Sequence, residues 1–152
     1  QQKYVLIEVE LPRLAHGTSR GVAKVLANYQ TRDGELLAAK ASLGVSASAN
    51  ATTVAKSVNR DVMVSVTEMM ATEQNKRAIK LRDEGRLDEA QKVLQKNAVF
   101  LRGRSKSLGS ARLKRMNKRL EADQNEMKKG NWRKARKRMV KTTYEFESQQ
   151  AY

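Results

Sequence analysis

Glu84-Gly85-Arg86-Leu87-Asp88-Glu89-Ala90-Gln91-Lys92-Val93-Leu94 decides the fold, because its pattern returns 45 residues later as Lys129-Gly130-Asn131-Trp132-Arg133-Lys134-Ala135-Arg136-Lys137-Arg138-Met139. Gly85 and Gly130 correspond, as do Leu87 and Trp132, Ala90 and Ala135, Lys92 and Lys137, and Leu94 and Met139. Glycine permits a sharp turn, the bulky residue plugs it, and alanine lets two helices approach closely. This is the logic of a helical hairpin. Two such units make a four-helix layer, whereas a true repeat array needs three or more.

Working outward, the apolar period is 3.6 on either side of Gly85. Met63, Val66, Met70, Gln74, Ala78 and Leu81 fall on one helical stripe that Gly85 interrupts. Asp88 and Glu89 suit the positive N-terminus of the next helix, which carries Leu87, Ala90, Leu94, Ala98 and Leu101. Arg102 to Gly109, with Gly103, Ser105 and Ser107, reads as a loop. A third helix begins near Ser110 with Leu113, Met116, Leu120 and Met127 and ends at Gly130. A fourth carries Trp132, Ala135, Met139, Thr143 and Phe146.

Toward the N-terminus the period falls to 2. Tyr4 to Leu11 places Val5, Ile7, Val9 and Leu11 on one face and Glu8 and Glu10 on the other, as in a half-exposed strand stopped by Pro12. Val22 to Gln30 aligns Ala23, Val25, Ala27 and Tyr29. Arg32-Asp33-Gly34-Glu35 supplies a tight turn, and Leu37, Ala39, Ala41, Leu43 and Val45 form a third strand. Ser46 to Thr53 reads as a linker or the approach to a helix. The expectation is an α+β chain: a β segment of about three antiparallel strands over residues 1–50, then about four helices in antiparallel hairpins over residues 51–152.

Composition narrows the chemistry. The 152 residues are 39% apolar and 31% charged, which supports a thin core. No apolar run approaches the ~20 residues of a membrane-spanning helix. With no cysteine there is no disulfide, thiol nucleophile or thiolate metal site, and the lone histidine, His16, reads as an ordinary loop residue beside Gly17. The pairs Asp83-Glu84 and Asp88-Glu89 flank a helical turn, where capping and dipole effects account for them. No phosphate-binding glycine loop, serine elbow or dinucleotide fingerprint occurs. Asn50-Ala51-Thr52 fits a glycosylation triplet that arises often by chance. The residues therefore predict no enzyme, no cofactor and no metal. The opening at Gln1, without an initiator Met or signal peptide, reads as a processed or internal boundary.

The charge is uneven. Residues 1–100 hold 15 Lys and Arg against 11 Asp and Glu, whereas residues 101–152 hold 16 against 5. Between Arg102 and Lys141 only Glu121, Asp123 and Glu126 oppose the cations. Arg112, Arg115 and Arg119 flank the third helix, with Lys114 and Lys118 beside them, and Arg133, Lys134, Arg136, Lys137 and Arg138 crowd the fourth. Arg112, Arg115, Arg119, Arg133, Lys134, Arg136, Lys137 and Arg138 are the candidate site for an anionic partner; the alternative is a solvated face serving solubility. Aromatic groups that could stack on bases are nearly absent, because Trp132 lies on the apolar stripe.

The order of motifs resembles the region that follows a von Willebrand factor A (vWA) domain in bacterial proteins. The resemblance rests on Tyr4-Val5-Leu6-Ile7-Glu8-Val9-Glu10-Leu11-Pro12, Gly17, the strand ending at Tyr29, and Ser57-Val58-Asn59-Arg60-Asp61-Val62. It continues through Lys80 to Ala90 and the tail from Arg136-Lys137 to Tyr144, so it covers nearly the whole chain. It implies that the strands belong to a β-sandwich completed upstream. The vWA metal cluster, Asp-x-Ser-x-Ser, is not matched by Asp61-Val62-Met63-Val64-Ser65, so no metal role carries over. The expected function is that of a non-catalytic accessory or protein-interaction region, with an upstream vWA domain or another protein as partner. A homodimer through edge-strand pairing is a further expectation, and a nucleic-acid-binding helical module working through the cations between Arg102 and Lys141 is the alternative.

Overall fold

The structure, a computed structural model, describes residues 5–128 and 131–148. It divides into two compact units, one over Leu6–Val58 and one from Asn59 onward.

The first unit is a two-stranded antiparallel hairpin, β1 (Ser19–Gln30) and β2 (Leu36–Ser46), followed by a short helix, α1 (Ala51–Lys56). The turn forms where Asp33-Gly34 places it. Gly34 has φ +89°, a region that a side chain disfavours, and its N–H donates to Thr31 O at 3.1 Å. The register pairs Tyr29 with Leu37, Ala27 with Ala39, Val25 with Ala41 and Ala23 with Leu43, and a bulge between Gly21 and Ala23 shifts the remainder. One face of the hairpin is thus wholly apolar from Ala23 to Tyr29 and from Leu37 to Leu43. It is open to solvent: Val25 is 50% exposed, Tyr29 50% and Leu43 59%.

Two expectations are corrected here. Residues 5–11 form no strand, and Val5, Leu6, Ile7, Val9 and Leu11 are exposed. Their alternation supplies one apolar face, but no described strand stands beside them to accept the ladder. The described sheet therefore has two strands rather than three, and it is not a sandwich. The span read as a linker or helix approach does lead into a helix, whose first turn it includes. Asn50 Oδ1 accepts the N–H groups of Thr52 and Thr53 at 2.9 and 3.1 Å and so nucleates α1.

The second unit contains α2 (Arg60–Asp83), α3 (Leu87–Ser107), α4 (Ala111–Lys128) and α5 (Trp132–Glu147). Helix α2 packs on α3 and α5, and α4 packs on the same two, which closes a four-helix bundle. Asn59 caps α2 by accepting from Val62 N at 3.1 Å. Gly85, at φ +81°, reverses the chain into α3, and Arg86 N donates back to Leu81 O across the turn. The 45-residue correspondence holds physically. Leu87 and Trp132 each open their helix half-buried, Ala90 and Ala135 are fully buried, and Leu94 and Met139 sit in the core. Gly130 lies outside the described residues.

Two helical details differ from expectation. Arg102 to Ser107 is helix rather than loop. Leu101 is fully buried one turn before Ser105, and an added Cβ at Gly103 would meet nothing, so glycine there marks no tight packing. The hydroxyls of Ser105 and Ser107 donate to carbonyls three residues back, which lets serine sit within the helix. The stripe on α2 holds at Ala78 and Leu81, which are buried, but is rotated before them. Met70 is 51% exposed and Gln74 is exposed, whereas Thr67, Glu68, Ala71, Thr72, Asn75 and Ala78 are buried. Small residues win the interior because they allow α3 to approach closely.

Candidate interaction surfaces

The polar groups inside the bundle explain where many of the cations go. Glu68 on α2 is 1% exposed. Arg112 of α4 brings Nε to 2.5 Å from its Oε1 and is the counter-charge to this buried carboxylate. Burial pushes the Glu68 carboxyl above its ordinary range, and Arg112 pulls it back only in part. Asp123 on α4 is 5% exposed and accepts from Arg138 Nε of α5 at 2.5 Å. Its carboxyl is likewise pushed up by burial, against the pull of Arg138. Asp83, at the end of α2, accepts from Arg136 Nε at 2.9 Å and from the Trp132 indole at 3.1 Å, both on α5. Arg102 on α3 donates to Glu121 of α4 at 2.7 Å and holds that carboxyl below its usual range.

Of the eight cations marked as the candidate anion site, three are therefore engaged within the bundle: Arg112, Arg136 and Arg138. Arg119 acts on Asp123 at longer range. Arg115, Arg133, Lys134 and Lys137 are exposed and make no ion pair with a described residue. The structure does not gather these four into one of its grooves.

Three grooves run between helix pairs. The one between α3 and α4, about 650 Å³, is lined by Arg102, Lys106, Lys114, Lys118, small polar residues and Glu121. That between α2 and α5, about 540 Å³, mixes Lys76 and Lys80 with Asp83, Glu84 and Glu147 around Val140 and Tyr144. The third, about 340 Å³, lies between α2 and α3 and joins Met70, Val93 and Phe100 to Arg77, Lys92 and Lys96. Sequence reasoning missed this third set because it placed Met70 and Gln74 in the core. The spacing of Lys92, Lys96 and Phe100, four residues apart in each step, was the available signal.

Among the described residues no cluster of His, Cys, Asp or Glu could hold a metal ion, and no helix is long and apolar enough to cross a membrane. His16 Nδ1 accepts the Ala49 N–H at 2.9 Å and so pins the loop before β1 to the segment after β2. No family model, curated protein or solved structure matches the chain.

Proposed function

We propose that this chain is a non-catalytic accessory region that acts by protein–protein contact, and that its β-hairpin completes a sheet supplied by a vWA-type protein. The observation that carries the reading is the unbroken apolar face of β1 and β2. An isolated two-stranded hairpin is marginal in water, and three or more strands or a packed cover are needed for stability. Here Ala23, Val25, Ala27 and Tyr29 stand across from Leu43, Ala41, Ala39 and Leu37, and the large side chains among them are at least partly exposed. The apolar residues of 5–11 present a second unpaired stretch beside Pro12. Surfaces of this composition mark an interface. The resemblance to the region after a vWA domain supports a vWA-type protein as the partner that covers this face.

The test is amide hydrogen exchange in β1 and β2, measured in this chain alone and in the product of its gene. Joined to a vWA domain, the strand amides should exchange at least about a hundredfold more slowly than in the chain alone, because local opening then disrupts a packed sheet. Equal exchange in both, or a gene product without a vWA domain, rejects the reading. If the chain alone shows slow exchange that disappears on dilution, the cover is a second copy and the vWA assignment fails.

A further inference from the structure

From the groove between α2 and α3 we infer a docking site for an acidic amphipathic helix, a surface separate from the hairpin and independent of the reading above. Its floor is apolar, made by Met70 from α2 and by Val93 and Phe100 from α3. Its rim is cationic only: Arg77, Lys92 and Lys96 line it with no carboxylate among the lining residues. None of the three makes an ion pair with a described residue, although Glu89, outside the lining, lies near enough for Lys92 and Arg77 to act on its charge at longer range. The other two grooves differ in kind. The α3/α4 groove has no large apolar side chain, and the α2/α5 groove balances its lysines with three acids.

Dimensions and charge select the occupant. At 1.5 Å per residue, Met70 to Arg77 and Lys92 to Phe100 run about 10–12 Å, or two turns of a helix. A helix laid in such a groove anchors through apolar residues at i, i+4 and i+7. Met70, half exposed, and Phe100, partly buried, offer such anchors apolar surface that is still open to water and that docking would bury. Acidic residues flanking the anchors meet Arg77, Lys92 and Lys96, and complementary charge of this sort fixes orientation and excludes basic helices. Asn97 sits in the same groove, 2% exposed, with Oδ1 lacking a hydrogen-bond donor. A groove built for nucleic acid would instead track phosphates with cations and stack bases on aromatic faces. The aromatic ring that lines this groove, Phe100, is already covered by the Arg104 guanidinium, 5.7 Å from its centre.

The experiment uses the whole chain and a fluorescein-labelled synthetic helix of about four turns. The helix carries leucines at i, i+4 and i+7 and glutamates on the flanking positions, and it is compared with a scrambled peptide of the same composition. Anisotropy titrations in physiological salt should show the amphipathic peptide binding at least about tenfold more tightly than the scrambled one. Lys92→Glu with Lys96→Glu should weaken it about tenfold or more, and Met70→Glu, at a half-exposed position that spares the core, should weaken it to a similar degree. Lys114→Glu with Lys118→Glu, in the α3/α4 groove, should leave it within about twofold. Circular dichroism of each variant shows whether the bundle is intact. Equal binding of the scrambled peptide overturns the proposal, as does equal weakening by the two lysine pairs, since both reduce the contact to net charge. Displacement of the peptide from wild type by duplex DNA, with DNA binding abolished by Lys92→Glu/Lys96→Glu, assigns the groove to nucleic acid instead.

Discussion

Replacing Arg112 by alanine should destabilise the bundle by stranding Glu68. The Glu68 carboxylate is 1% exposed and has Arg112 as its counter-charge at 2.5 Å. Breaking a fully buried pair costs about 3–5 kcal/mol, whereas a surface pair is worth about 0–1. Arg112 itself is 44% exposed, so solvent screens its side of the pair and the expected loss is about 2 kcal/mol at pH 7. In urea unfolding followed by circular dichroism this moves the midpoint by about 1 M. Glu68→Gln should behave oppositely, because burial outweighs Arg112 in setting the carboxyl and raises it. For a carboxyl raised in the folded state, the folded protein holds its proton more readily. Glu68's contribution to wild-type stability is therefore greatest below the unfolded value near 4.5 and declines as pH rises through the folded value. Glu68→Gln escapes that decline, so its stability relative to wild type should grow from acid toward neutral pH. The Arg112→Ala penalty should shrink toward acid and nearly vanish in the Glu68→Gln background. An Arg112→Ala protein within about 0.5 kcal/mol of wild type at pH 7, or a penalty undiminished when Glu68→Gln is also present, refutes the reasoning.

Gly85→Ala should cost about 1–2 kcal/mol by thermal or urea unfolding, since Gly85 lies at φ +81° and an added Cβ meets no neighbour. The loss is therefore one of backbone strain alone, and Gly85→Asn should recover part of it. Replacing Arg115, Arg133, Lys134 and Lys137 by glutamine should leave the melting temperature nearly unchanged, because none pairs with a described residue. If these cations bind duplex DNA, the slope of log affinity against log salt should flatten by about 0.9 for each phosphate no longer neutralised, and an unchanged slope removes them from any such role.

The helices whose interiors are built from large aliphatic residues were legible at the level of single side chains. Leu94, Leu101, Leu113, Leu120 and Met127 are all core, as their spacing requires. Helix α2 was legible only at its C-terminal end, where Ala78 and Leu81 are core; before them the buried face is made of Thr67, Glu68, Ala71, Thr72 and Asn75, and a hydropathy period cannot locate a face built of small and polar residues. Its Asn75 and the Ala71 carbonyl both accept from Asn97 Nδ2 of α3, across 22 residues in the first case and 26 in the second. The hairpin turn was readable from Asp33-Gly34, but pairing depends on what lies beside a strand, and for residues 5–11 the described chain supplies nothing. The cations were visible as a class. Which of them the bundle uses was not, since Arg136 meets Asp83 across 53 residues and only the packing of α5 on α2 brings them together.

The polar interior bears directly on the α2/α3 groove. Among the described residues eight polar or charged side chains are buried beside fifteen apolar ones, a proportion that sacrifices transfer energy. Several of these contacts tie helices at a single register. Asn97 joins α3 to α2 at Ala71 and Asn75, Glu68 faces Arg112 of α4, and Asp123 accepts from Arg138 of α5. An apolar seam tolerates sliding by a turn, whereas a slide of one turn here would leave Asn97 and both carboxylates buried without partners, each at a cost of about 1–3 kcal/mol or more. The Asn97 contacts lie at the groove itself, between Met70 and Arg77 on α2 and between Val93 and Phe100 on α3. The groove is therefore preformed, and a helix entering it spends little of its binding energy on ordering the walls. Asn97→Leu should test that link. It removes both hydrogen bonds while keeping the side chain's size, so if register is what shapes the groove, affinity for the acidic helix falls even where the bundle's melting temperature does not.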